Sequence, residues 1–458
     1  MYNFLWLLSL FLLQSKFGRC FVGTRESTQY HRRCVSRGVT FDAGDIEVTR
    51  LLGKIDVALN DKLVEDTKRE LLRTEDKDSY EALNSWVNKF QKLASQTTLV
   101  RIFEAKLVKN GYENKRVFLK EYLPIGLYFG RRELSTSKYL TDRFNEYQQQ
   151  GGLSYVKNDS ELLVPKLLGS LKTDERIENL EFRARWSNKF QRSKPPEKGC
   201  LWLIFDWDEA SFKSFKYFAP LPQVVEGFDY FRPTERLNKR WNFIRKIFKK
   251  TLESLDFLHR NSLCHNAISG DSIWLSTTNQ IEIEKLYVKI TDLGSTQKFS
   301  EYRSSLSDAR SSDARNAALE DLYQLGFVFL ELIINSFCDD NIGARKIRAK
   351  LAGKEYKIDY LARAEDIDQS QLRQKEYQQM FEGLCEYDIG MLRETVRNIK
   401  EWREAFEVLE LNNGAAWKLI FTLLAAPTLY DNDLNKPLKV TCATILNDFK
   451  TTLFAQEN

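Results

Sequence analysis

The chain has 458 residues, 43% hydrophobic and 13% aromatic, enough for one large domain or two to three average ones and too apolar for wholesale disorder. Its 69 basic residues nearly balance 64 acidic ones, and a net charge of +5 compels no nucleic-acid partner. Seven scattered cysteines with no C-x-x-C pair, and only three histidines (His31, His259 and His265), argue against a disulfide framework or a zinc site.

The apolar run FLWLLSLFLL, Phe4 to Leu13, is too short to span a bilayer and has the length of a signal-peptide core. From Lys16 to Arg37 come six basic residues and a single acid, Glu26. A signal-like segment over 1–20, then an acid-poor stretch over 21–40 with Phe21 near the join, resembles the two-part plastid presequences of algae with complex plastids. Plastid import is one reading; the secretory pathway or ER lumen is the alternative. No later segment has 18 uncharged apolar residues, so the mature chain is expected to be soluble, without a membrane span.

From Asp45 to about Ser95 apolar residues recur at three- and four-residue steps, predicting a helical N-terminal extension over 41–96. The pattern then changes. TTLVRIFEAKLV (Thr97 to Val108), KRVFLKEYL (Lys115 to Leu123), LLVPKLLGSL (Leu162 to Leu171) and CLWLIFDW (Cys200 to Trp207) read as strands, with RRELSTSKYLTDRFNEYQQQ a helix among them. A charged insertion over 172–198, ending in SKPPEKG, reads as an exposed loop. After Trp207 the chain turns helical. RWNFIRKIFKKTLESLDFLHR is amphipathic, and ALEDLYQLGFVFLELIINSF is apolar nearly all round, as a buried helix would be. A charged helical region over Ala344 to Leu411 and two closing helices follow.

Several motifs carry chemistry in this order: VFLK on a strand, LWLIFDW, LHRNSLCHNAISGDSIWL, TDLG, then EDLYQLGFVFLEL. Together they resemble the protein-kinase fold over about Thr97 to Phe449. The fold class implied is α+β and two-lobed: a small β-rich lobe with one helix over 97–207, and a large helical lobe over 208–458. The resemblance makes Lys120 the phosphate-binding lysine and Asp292 the metal-binding carboxylate. Glu133 is the first choice for the partner of Lys120, with Glu146 the second. Phe205 guards the back of the nucleotide pocket, with Asp206 at its hinge. Phe118 stands where a small alanine underlies the adenine, and Asp321 braces the catalytic loop. Lys436 occupies a late position where an arginine is usual.

The catalytic-loop motif aligns on Phe257 to Leu275 without a gap. His265 matches its His. Asn266 replaces the Arg, Ala267 the catalytic aspartate, Ser269 the phosphate-touching Lys, and Ser272 the metal-holding Asn. Phosphoryl transfer needs a lysine on the phosphates, carboxylate-held magnesium and a carboxylate that orients the attacking hydroxyl. Ala267 accepts no proton, and Ser272 is a weak, neutral ligand; Asp271 is nearby as a displaced base, in a register shifted by one gap. SQTTLVRIFEAKL holds no glycine with which to close over phosphates. Only 28 residues separate Asp292 from Asp321, and SSLSDARSSDARN fills the place of A-P-E; it reads as an exposed, flexible loop with no regulatory role, the alternative being a phosphorylation segment.

Residue by residue there are plainer readings. A strand lysine commonly faces solvent, a D-L-G commonly makes a turn, and His265 is expected to bridge backbone groups in a core. Asp321 could simply favour a helix dipole. Cys264 and His265 are adjacent on a strand and point to opposite faces, which disfavours a thiol–imidazole pair. The reading reached is a catalytically impaired pseudokinase acting as scaffold or allosteric partner of another protein, with ATP and Mg binding in doubt. The alternative is an active, atypical Ser/Thr kinase using Lys120, Asp292 and Asp271 on a protein substrate; a small-molecule phosphotransferase is the third.

Overall fold

The computed structural model describes residues 39–57, 97–108, 115–149, 163–173, 180–189, 198–207, 213–214, 233–299, 307–338, 342–353, 372–429 and 438–455, with short helical stretches between 67 and 84. The expected signal segment (1–20), the expected transit segment (21–40) except residues 39 and 40, and Lys436 lie outside these residues.

A two-residue strand, β1 (Val39–Thr40), precedes β2 (Ile46–Val57), where the sequence predicts helix. The correction has a physical cause. β2 pairs antiparallel with β3 (Thr97–Leu107), and the ladder shifts register between Val48 and Arg50, Leu51 and Gly53, and Ile55 and Asp56. The first two shifts each insert a residue into β2 and the third inserts one into β3, so Ile46, Val48, Leu51 and Ile55 take irregular spacings that imitate a helical period. The described residues between 67 and 84 are helical as expected, and Leu71 and Leu83 are buried.

β4 (Lys115–Tyr122), helix α1 (Leu127–Gln149), β5 (Leu167–Lys172), helix α2 (Leu180–Lys189) and β6 (Leu201–Asp206) follow. The strand order is β1-β5-β6-β4-β3-β2, five strands antiparallel and β1 added parallel to β5. The insertion expected to be an exposed loop holds α2, whose Trp186 is only 4% exposed. Its ring meets Phe103 edge-on at 5.3 Å and lies over the Arg101 guanidinium at 5.9 Å. Trp186 thus gives α2 a tertiary seat on the sheet, which local sequence does not announce.

The chain folds as two compact units. The first runs to Ala210 and also takes in Asp292–Thr296; the second comprises Ser211–Thr291 and Gln297–Asn458. The second unit contains strand β7 (Lys213–Ser214), helix α3 (Pro233–Arg260) and short strands β8 (Leu263–Cys264), β9 (Ile273–Leu275), β10 (Val288–Ile290) and β11 (Gln297–Lys298). Helices α4 (Ser307–Phe337), α5 (Ile342–Leu351), α6 (Gln374–Gln379), α7 (Ile389–Asn398), α8 (Arg403–Leu424) and α9 (Cys442–Asp448) complete it. α4 is the buried helix of the sequence reading; Leu325, Phe327, Val328, Phe329 and Leu330 have no exposed surface. It begins at Ser307, so much of the stretch expected to be a loop is helical. That stretch has no Pro or Gly, and its Ala and Arg favour helix. Among the described residues, no helix is long and apolar enough to cross a membrane.

Candidate functional site

Alternation along β4 sends Phe118, Lys120 and Tyr122 to one face of the sheet and Leu119 and Glu121 to the other. The first face meets α1. There Lys120, 1% exposed, donates from Nζ to Glu133 Oε1 at 2.7 Å and to Asp292 Oδ1 at 2.7 Å. Burial alone would lower the pKa of this ammonium; Asp292 and then Glu133 outweigh it and hold the group above its ordinary value. Of the two glutamates weighed as partner, Glu133 makes the contact, while Glu146 pairs with Arg143 on an exposed turn.

Sequence reasoning missed Tyr122, whose hydroxyl donates to Glu133 Oε2. Burial first, then the adjacent Glu133 carboxylate, raises its pKa well above the usual phenol value. Gly130 makes the close approach possible, since a Cβ there would come within 2.6 Å of the Tyr122 ring. Asp292 sits in the left-handed region at φ 62°, an unusual backbone for a non-glycine residue and one that Asp tolerates better than most. Its turn is tied to α1 by the Thr136–Thr296 hydroxyl pair at 2.9 Å. Gly294 lies against Phe129, where a Cβ would meet the carbonyl oxygen at 3.0 Å.

The remaining expected nucleotide-site residues are placed differently. Phe118 is buried and stacks on its cross-strand partner Phe205, with centroids 4.9 Å apart, and meets Trp207 edge-on at 6.2 Å. Asp206, taken as a cofactor contact, is ion-paired with Lys115 at 2.7 Å. β2 and β3 are joined through residues 58–96, which contain no glycine.

On the opposite face, Arg101, Glu121 and Trp202 occupy one cross-strand row. Glu121 has no exposed surface; it accepts from Arg101 Nε and, at 3.2 Å, from Trp202 Nε1. This second buried ion pair had no sequence signal beyond its alternation.

In the second unit the loop 265–272 hangs on Asp321, which is 1% exposed. The carboxylate accepts the backbone N–H of His265 at 2.7 Å and of Asn266 at 2.8 Å. His259 Nε2, named from sequence only in a count, is 3.1 Å from the same carboxylate. His265 bridges backbone groups: Nδ1 accepts from the Ala267 N–H at 3.3 Å, so Nε2 donates to the Thr291 carbonyl at 2.8 Å. Ser272, expected as a weak metal ligand, is held in its own turn. It is 1% exposed, and its hydroxyl both donates to the Ser269 carbonyl and accepts the Ser269 N–H, locking the turn. Asp271 is exposed, and its carbonyl accepts from Trp274 Nε1. Cys264 is buried, and its thiol points to the Ala314 carbonyl at 3.7 Å. No group of three or more potential metal ligands occurs among the described residues.

These side chains do not fit a nucleotide held in the usual manner. Lys120 Nζ already serves two carboxylates, Phe118 is stacked on Phe205, and neither 58–96 nor SQTTLVRIFEAKL contains a glycine. No protein-family model matches the chain, and no curated protein matches it.

Proposed function

We propose that the chain is a protein-kinase-like protein without phosphotransfer, a pseudokinase that acts as a scaffold or allosteric partner of another protein. The observation that carries this reading is the Phe118–Phe205 stack beside a lysine already paired with Glu133 and Asp292. Five antiparallel strands, with one long helix after the VFLK strand, support the kinase-like part of the reading. So does the support of loop 265–272 by Asp321. The loss of phosphotransfer rests on Ala267, which offers neither a proton acceptor nor a metal ligand, and on the Ser272 hydroxyl being committed to its own turn.

Thermal unfolding of the chain from about residue 40 onward, with and without ATP and magnesium, tests it. The expected outcome is no shift of the midpoint at millimolar ATP. A magnesium-dependent rise would instead favour the active-kinase alternative, with exposed Asp271 as its base. Phe118→Ala is the second arm. If the phenyl ring is what excludes the nucleotide, the variant gains an ATP-dependent shift; the absence of one removes steric filling as the cause. For localisation, plastid import remains the reading we favour from the composition of residues 1–40.

A further inference from the structure

Glu331 lies in the C-terminal third of α4 and is 4% exposed. Its carboxylate faces the entry to α6. Oε2 accepts the Gln374 N–H at 2.8 Å, and Oε1 lies 3.3 Å from Arg373 Nη1. The Gln374 side chain then reaches the other way, donating to the Ile268 carbonyl at 2.9 Å and to Gln324 Oε1 at 2.9 Å. One short segment therefore joins α4 to the loop that carries Ala267, and a buried ionisable group sits beneath its first turn.

The groups around it divide by element. Arg373 supplies the opposite charge and is partly exposed. Asp271, from the loop, acts on Glu331 with like charge. Glu376 on α6 is turned away, capping the Arg373 N–H and pairing with Arg348 of α5. Tyr377 directs its hydroxyl to Asn335 at 3.4 Å, and Cys338 follows α4. Lys375 also titrates in this turn; its buried Nζ has no hydrogen-bond partner among the described residues, and burial lowers its pKa. Burial pushes Glu331 up to about 7, against the opposing pull of Arg373 and the Gln374 amide.

We propose that Glu331 is a proton-operated latch: neutral, it lets the segment 372–379 dock on α4 and hold the 265–272 loop through Gln374; ionised, it favours release of that segment. The sign follows from linkage. The docked carboxyl binds its proton more tightly than a solvated one, so rising pH, up to about 7, works against docking and relaxes the grip on Ile268.

Amide hydrogen exchange of the full chain, corrected for intrinsic rates and compared at about pH 5.5 and about pH 8, tests this. Protection of the amides of Tyr377 to Phe381 is expected to fall by roughly ten- to thirtyfold at the higher pH, while amides within α3 keep theirs. In Glu331→Gln the fall disappears, which separates the carboxyl from Lys375. Arg373→Gln, the second variant should the first not fold, carries the fall on to higher pH. An equal loss in α3, a pH-independent α6, or a fall that survives E331Q would each overturn the latch.

Discussion

Lys120 is surrounded by charge in a place where charge is costly. Two carboxylates satisfy it, and removing the ammonium leaves Glu133 and Asp292 facing each other without compensation. Lys120→Met is therefore expected to destabilise the fold by roughly 3–5 kcal/mol, read from denaturant unfolding. Adding Glu133→Gln should recover part of that loss, because one of the unpaired charges is then removed. Full additivity of the two substitutions would show that the pair is not coupled. Asp321 is satisfied in a comparable way, mostly by backbone amides, so its role is to fix the 265–272 turn.

Among the elements, α2 shows how much one seat decides. It carries a deeply buried aromatic, Trp186, packed on Phe103 and Arg101 over the outer face of the sheet. Trp186→Ala is expected to cost about 3–5 kcal/mol by loss of burial and by the cavity left behind. It should also raise proteolytic cleavage within 172–198; an unchanged midpoint and digest would mean that α2 contributes nothing to the sheet. β2 makes the converse point. Its bulges disguise a strand as a helix, and only pairing with β3 resolves the ambiguity.

Across the whole molecule the cysteines report on packing. Cys200, Cys264, Cys338, Cys385 and Cys442 are all buried thiols. Cys442 approaches His259 Nδ1 at 3.9 Å, and His259 in turn meets Asp321, an arrangement that resembles a nucleophilic triad in its connectivity. Burial, followed by the nearby Asp256 and Asp321, pushes the Cys442 thiol well above its usual value, which disfavours a thiolate. A thiol reagent applied to the native chain at mildly alkaline pH should label none of these five before unfolding, as mass mapping of the modified peptides would show. Fast labelling of Cys442 would contradict its burial.

The sequence by itself determined the strands whose alternation is regular, the amphipathic α3 and the apolar α4, because local spacing expresses which face is buried. It also singled out Lys120, Asp292, His265 and Asp321. Tertiary structure alone decided what those side chains touch. Glu133 rather than Glu146 reaches Lys120 because α1 presents that turn to β4, and Tyr122 joins them across Gly130. Ser272 is consumed by its own turn, Phe118 by Phe205, and Asp206 by Lys115. Periodicity along a chain encodes burial, whereas partnership depends on register, bulges and close backbone approach between residues far apart in sequence.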